Sequence, residues 1–220
     1  FGGSLLTNEV NIGNQSGKEW ADGIIAELKE MPNVTIKNRS QVFGYYDHNM
    51  LVMSERISDH LPKTKKFHPK QRLWYIRANE VLISSGSIER PIVFGNNDTP
   101  GVLLSSAAKE YMKVYGVIVG KNPLIFTNND SGYETAVEFK KNGIEPIILD
   151  TRISPKSEII EEAKNLGIKI KYSHVVVAAQ GYKKVKSADI AKISKDKEEL
   201  GEIENIKCDC ICVSGFWTPS

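Results

Sequence analysis

The chain lacks the marks of a metalloprotein, a redox-dithiol enzyme, a membrane protein or a nucleic-acid binder. Its cysteines number only three, all within Cys208-Asp209-Cys210-Ile211-Cys212. Alternate positions put their side chains on one face of a strand, where neighbours bridge poorly. A metal site would need a fourth ligand and the ligand spacing of a turn, so small, reduced, buried thiols are expected, as suits the cytosol. No Cys-x-x-Cys is present, and with it the reducible centre of a disulfide reductase is missing. No apolar run approaches the roughly 18 residues of a membrane span. No charged-then-apolar leader is visible, although residues ahead of Phe1 could carry one. Charge of one sign is lacking too: Lys and Arg total 29 against 27 Asp and Glu, a net +2. The two signs are interspersed, which argues against a nucleic-acid partner. The run Lys63-Thr64-Lys65-Lys66, between prolines, reads as a solvated loop. A soluble, cytoplasmic chain is the expectation. An initiator Met is also absent. Phe1-Gly2-Gly3-Ser4-Leu5-Leu6 opens as though a strand and a phosphate loop preceded it, and a fragment is expected.

What is present is ample for a core, since 40% of the 220 residues are hydrophobic, and the pattern alternates helix with strand. Ser16 and Glu19 have capping-box spacing, and Trp20, Ile24, Ile25 and Leu28 recur at helical intervals until Pro32. Strands are expected at Val34 and Ile36, at Val42 to Tyr46, in an antiparallel excursion over 50–79 that returns through Leu73 to Ile76, and at Val81 to Ser84. The turn-rich stretch Gly95 to Gly101 marks a domain crossing. Beyond it come a helix over 104–115 stopped by Gly116, a strand at 124–126, a helix over 131–141 closed by Gly143, and a strand at 147–150. A helix over 157–166 stopped by Gly167, strands at 168–172 and 175–178, a polar hairpin around Ser194 to Gly201, and a strand from Cys208 to Val213 follow. This order implies an α/β fold with a parallel sheet covered on both faces.

The unit at 122–150 is built like a nucleotide-binding βαβ. Aligned on Gly132 as the third glycine of a dinucleotide loop, the first glycine position is Thr127 and the second Asn129. The second glycine exists so that backbone can approach the phosphates, and a side chain at Asn129 stands in that space. Asp130 is expected to cap the helix itself and repel a phosphate. The loop therefore reads as one that keeps its shape and has lost pyrophosphate binding. Asp150, where a ribose-binding acid would sit, then reads as a solvated strand-end carboxylate. Gly116-Val117-Ile118-Val119-Gly120-Lys121 is one residue short of a phosphate-binding loop and lacks the following Ser/Thr. His48 and His60 each follow an aspartate, but adjacent residues of a strand point to opposite faces. With His68 and His174 isolated, no acid–base dyad or Ser/His/Asp arrangement can be assembled, and no catalytic residue is assigned.

Several runs carry a resemblance over essentially the whole chain: Phe1 to Leu6, Val42-Phe43-Gly44-Tyr45-Tyr46-Asp47-His48-Asn49, Gln71-Arg72-Leu73-Trp74, Gly86-Ser87-Ile88-Glu89-Arg90-Pro91, Phe126-Thr127-Asn128-Asn129-Asp130-Ser131, and Cys208 to Pro219. In these the chain resembles the alpha subunit of heterotetrameric sarcosine oxidase. The resemblance implies a two-dinucleotide-binding-domain fold (FAD/NAD(P)-binding, Rossmann-like). The first domain would span 1–95, completed by 206–220, and a second Rossmann-like domain with a degenerate phosphate loop would span 96–205. It implies a noncovalent NAD in the first site. FAD in the beta subunit, FMN near the interface and tetrahydrofolate in a further domain would lie outside this segment, which alone should not turn over substrate. The implied partners are the beta subunit and the smaller subunits. The nucleotide-contact positions carried over are Gly2, Gly3, Val42, Ser85, Gly86 and Gly215; Phe216 departs from the pattern, where a second glycine is expected. Two other classes stay open: an NAD(P)H-dependent flavoprotein reductase or related amine or opine oxidase subunit, and a non-catalytic nucleotide-binding scaffold for subunit docking.

Overall fold

The computed structural model describes residues 2–8, 10–63, 66–196 and 199–220. Its contacts divide into two compact units, one built on Val10–Ser85 with Gly2, the other on Gly3–Glu9 and Gly86–Ser220.

The first unit opens with the short antiparallel pair β1 (Asn11–Ile12) and β2 (Gln15–Ser16), which leads into helix α1 (Gly17–Glu30). The expected capping box is present in full: the Ser16 hydroxyl accepts from the Glu19 amide at 3.3 Å, and the Glu19 carboxylate accepts from the Ser16 amide at 2.9 Å. These bonds satisfy two of the orphan donors of the first turn. Strands β3 (Ser40–Tyr46), β4 (Met50–Arg56) and β5 (Gln71–Arg77) form an antiparallel meander with β3 and β5 at its edges. The extended segments at Val34–Ile36 and Val81–Ser84 are not strands. A strand exists only by pairing its backbone with a neighbour, and neither segment has a ladder partner among the described residues. Of the lysine-rich run, Thr64 and Lys65 lie outside the described residues.

The second unit runs through β6 (Ser87–Arg90), β7 (Val102–Leu104), α2 (Ser105–Tyr115), β8 (Pro123–Thr127), α3 (Ser131–Lys141), β9 (Ile147–Asp150), α4 (Glu158–Asn165) and β10 (Lys169–Tyr172). It continues through β11 (His174–Gln180), β12 (Ser187–Ile193), β13 (Leu200–Lys207), β14 (Cys210–Ser214) and β15 (Phe216–Pro219). Five strands make one parallel sheet in the order β10-β9-β8-β14-β7. Every residue of β8 and β14 is buried, as a strand covered on both faces requires. One face packs on helices: Ile125, Ile148, Cys210 and Cys212 meet Ala108 and Met112 of α2, Tyr133, Ala136 and Phe139 of α3, and Ile160 and Ala163 of α4. The other face packs on the antiparallel sheet β11-β12-β13: Leu124, Phe126, Leu149, Ile211 and Val213 meet Val176, Ala179 and Ile190. The alternation of Ile125 with Leu124 and Phe126 shows the period-two division between faces.

Three readings of the sequence change here. The strand Cys210–Ser214 is a central member of the second unit's sheet, whereas residues 206–220 were expected to complete the first domain; its uninterrupted apolar run suits only a doubly covered position. The division of contacts falls between Ser85 and Gly86, ahead of the turn at Gly95 to Gly101. Cys210 and Cys212 share the helical face, but Cys208 precedes the strand and packs on the opposite cluster. All three are buried and unbridged. The hairpin joining β12 and β13 is present, with Lys197 and Glu198 outside the described residues.

Candidate functional site

The end of β8, the start of α3 and the end of β14 meet at the corner where a dinucleotide fold holds diphosphate. Gly132 does what the third glycine of such a loop does. A Cβ there would stand 2.6 Å from Thr127 Cβ and 2.8 Å from its Oγ1, so only glycine lets the helix seat against the strand. The other two glycine positions are filled by groups that serve the protein itself. Thr127 Oγ1 donates to the Asn129 carbonyl at 2.8 Å and accepts from the Asn129 amide at 3.1 Å. The Asn129 side chain donates through Nδ2 to the Gly215 carbonyl at 2.7 Å and to that of Ser214 at 3.3 Å. Its Oδ1 accepts from the Ser131 amide at 2.8 Å and from Ser214 Oγ at 3.2 Å. The amides of Asn128, Tyr133 and Glu134 donate to carbonyls, that of Ser214 for the first and that of Asp130 for the other two. A phosphate cradle is a set of amide donors pointing at open space. Here the amides of Asn128, Asn129, Ser131, Tyr133 and Glu134 are all bonded within the protein.

Asp130 does not cap the helix as expected. Its side chain makes no capping bond, because Asn129 already satisfies the Ser131 amide; instead Asp130 Oδ1 accepts from Arg152 Nη1 at 2.8 Å. Asp150 is not a solvated carboxylate either: it is 0% exposed. Its Oδ2 accepts from the Tyr133 hydroxyl at 2.6 Å and from Arg152 Nη2 at 2.8 Å, and its Oδ1 accepts from the Arg152 amide at 2.9 Å and Nε at 3.0 Å. A buried carboxylate persists only when so matched. Burial, reinforced by the hydrogen bond to Asp150, raises the Tyr133 phenol far above its ordinary range, so it stays a donor at any physiological pH. The guanidinium nearest the loop is thus engaged by two carboxylates and is not held for a phosphate. The sequence signals for this cluster are the Asp-Thr-Arg spacing at 150–152 and an aromatic on the first turn of α3.

The six carried-over positions divide between the two units. Gly2, Val42 and Ser85 belong to the first unit; Gly3, Gly86 and Gly215 belong to the second. Val42 is 49% exposed on the edge strand β3, beside the bulge between Val42 and Gly44. Gly86 has φ +75° and open space where a Cβ would stand, so backbone conformation alone explains it. Gly215 has packing as its reason, since a Cβ would meet the Arg90 carbonyl at 2.6 Å. β6 and β15 pair antiparallel with Phe216 opposite Arg90 and Pro219 opposite Ser87. Gly86 and Gly215 therefore flank opposite ends of this ribbon, about 16 Å apart at roughly 3.3 Å per residue. Phe216, 58% exposed, begins β15. The Gly116–Lys121 segment is held by Asp209, whose carboxylate accepts from the Lys121 and Asn122 amides, each at 2.8 Å.

No family model matches the chain. It is 33% identical over 225 residues to the sarcosine oxidase subunit alpha of Rhizobium meliloti (strain 1021), a match covering 99% of this chain and 21% of that protein. The subunit alpha of Corynebacterium sp. (strain P-1) is also 33% identical, over 99% of this chain and 23% of that one. Over nearly its whole length the chain is similar to a segment of the sarcosine oxidase alpha subunits. It spans about a fifth of the length of these relatives. Among solved structures, thioredoxin reductase from T. acidophilum superposes with a TM-score of 0.69 at 14% identity, covering 99% of this chain and 66% of that one. That likeness bears out the Rossmann-like α/β fold. Among the described residues no helix is long and apolar enough to cross a membrane, and no group of three metal-ligating side chains is assembled.

Proposed function

We propose that this sarcosine oxidase alpha-subunit segment carries a noncovalent NAD through its first unit and has given up dinucleotide binding at the β8–α3 corner. The observation that carries the reading is the Asn129 network, which engages the amides of Asn129 and Ser131 within the protein and ties the loop to Ser214 and Gly215. A diphosphate there would have to displace those bonds and sit beside Asp130.

The first unit offers a different kind of contact. β3 is an edge strand, so backbone donors and acceptors along its outer side, Val42 among them, are free of ladder bonds and suit the edge of an adenine ring. Gly2 and Ser85, in the same unit, are also proposed to approach the cofactor, whereas Gly3 belongs to the second unit and is left out of the assignment. Gly86 and Gly215 carry no weight in this assignment, since conformation and packing account for both.

Within the whole enzyme the proposed role is to support oxidative demethylation of sarcosine to glycine in the cytoplasm, in a complex with the beta subunit and the smaller subunits. The flavins and tetrahydrofolate would be held outside this segment. A disulfide-reductase role is disfavoured by thiol chemistry: burial, with the neighbouring Cys210 adding to it, pushes the Cys208 thiol up to about 12, and Cys212 is raised by its hydrogen bond with Cys210 and by burial. Thiolates are the reactive form, and these stay protonated. The test is the nucleotide released on denaturing the full-length subunit. One NAD per chain is expected; a flavin in its place would contradict the assignment.

A further inference from the structure

A cavity of about 340 Å³ lies within the second unit, walled by Glu89 of β6, Ser106 and Lys109 of α2, Ser131 and Glu134 of α3, and Trp217 of β15. Its volume falls at the lower end of small-molecule sites, about 300–1,000 Å³. It is separate from the nucleotide reading above and needs none of the residues assigned there.

The decisive group is Glu89, 3% exposed. Its Oε2 accepts from the Ser106 amide at 2.8 Å, a helix-start contact that explains half of the carboxylate. Among the described residues its Oε1 has no hydrogen-bond partner. A buried carboxylate oxygen without a donor costs free energy and calls for a ligand or another compensating group. The cavity's other charges indicate which kind. Lys109 Nζ is bonded to Asn8 Oδ1 at 2.7 Å and to Glu134 Oε2 at 2.9 Å, so one ammonium stands against the two carboxylates of Glu89 and Glu134 and the wall carries a net negative charge. An anion would be repelled; a cation bearing N–H groups would fill the missing bond. Hydroxyls of Ser87, Ser131 and Thr135 supply neutral partners, and the Trp217 indole, which donates to Ser131 Oγ at 2.9 Å, closes one side.

We propose that this cavity binds a small primary or secondary ammonium compound, with Glu89 Oε1 accepting its N–H. The experiment uses the full chain and three probes at fixed ionic strength: ethanolammonium chloride, tetramethylammonium chloride, which has the charge without the donor, and sodium propionate. Saturable binding is followed through the Trp217 indole N–H resonance. Glu89→Gln keeps an acceptor for the Ser106 amide while removing the charge, and Lys109→Met removes the competing cation; thermal melts confirm that each variant is folded. Ethanolammonium is expected to bind with a Kd at least tenfold lower than the other two probes. Glu89→Gln should weaken it at least tenfold, and Lys109→Met should leave it unchanged or tighter. Equal response to tetramethylammonium, tighter binding of propionate, no binding by the wild type, or binding unaffected by Glu89→Gln would each overturn the assignment.

Discussion

Arg152→Met should destabilise the second unit far more than a surface charge change would. The guanidinium gives Asp150 its Nη2 bond at 2.8 Å and its Nε bond at 3.0 Å. Without it a carboxylate that is 0% exposed keeps only the Tyr133 hydroxyl and one backbone amide. Breaking a buried pair from one side costs about 3–5 kcal/mol, because the surviving charge is stranded. Two donors remain and the Arg152 side chain is 30% exposed, which places the loss near the lower end, about 3 kcal/mol. For a chain of this size that corresponds to a fall in Tm of roughly 6–12 °C, at about 2–4 °C per kcal/mol. Asp130→Asn touches the same guanidinium from a side chain that is 43% exposed, and should cost about 0–1 kcal/mol. The double variant Arg152→Met with Asp150→Asn removes both charges and should recover about 1–2 kcal/mol relative to Arg152→Met alone, a coupling expected for residues in contact. Urea denaturation followed by circular dichroism measures all three. Arg152→Met within about 0.5 kcal/mol of wild type, against the several expected for a stranded buried charge, would refute the account of this cluster.

Further outcomes follow from the same geometry. Gly132→Ala should cost about 1–3 kcal/mol by forcing α3 off Thr127, and Gly215→Ala a similar amount against the Arg90 carbonyl, whereas Gly86→Ala should cost only about 1–2 kcal/mol from its positive φ; denaturation midpoints rank them. Tyr133→Phe removes one hydrogen bond to a charged acceptor and should lose about 1.5–3 kcal/mol. Iodoacetamide at pH 8 should leave all three cysteines unmodified in the folded chain and label them in urea, read by mass spectrometry. Cys208 binds its proton more tightly folded than unfolded, so its contribution to stability is constant below about pH 9 and falls as pH rises towards about 12.

Local signals in the sequence were the dependable ones. The capping box at Ser16 and Glu19 and the helix stops at Gly116, Gly143 and Gly167, all at positive φ, need only a few neighbouring residues to be read. Strand-forming composition at Val34–Ile36 and Val81–Ser84 misled because pairing partners are not written beside the strand. The role of Asn129 was legible as steric obstruction, since the glycine requirement at that position is known, but not as a tie to Ser214 and Gly215, 85 and 86 residues away. Asp150 was misread because its cover comes from Tyr133, on a helix 17 positions earlier, and Glu89 gave no signal at all, its burial being set by β6 pairing with a strand near the other end of the chain.

The most direct measurement is a crystal structure of the chain grown with NAD. The account predicts nucleotide density along the first unit at Val42, with Asn129 still bonded to Gly215. Density for the bridging phosphates against Asn129 and Gly132 would contradict it.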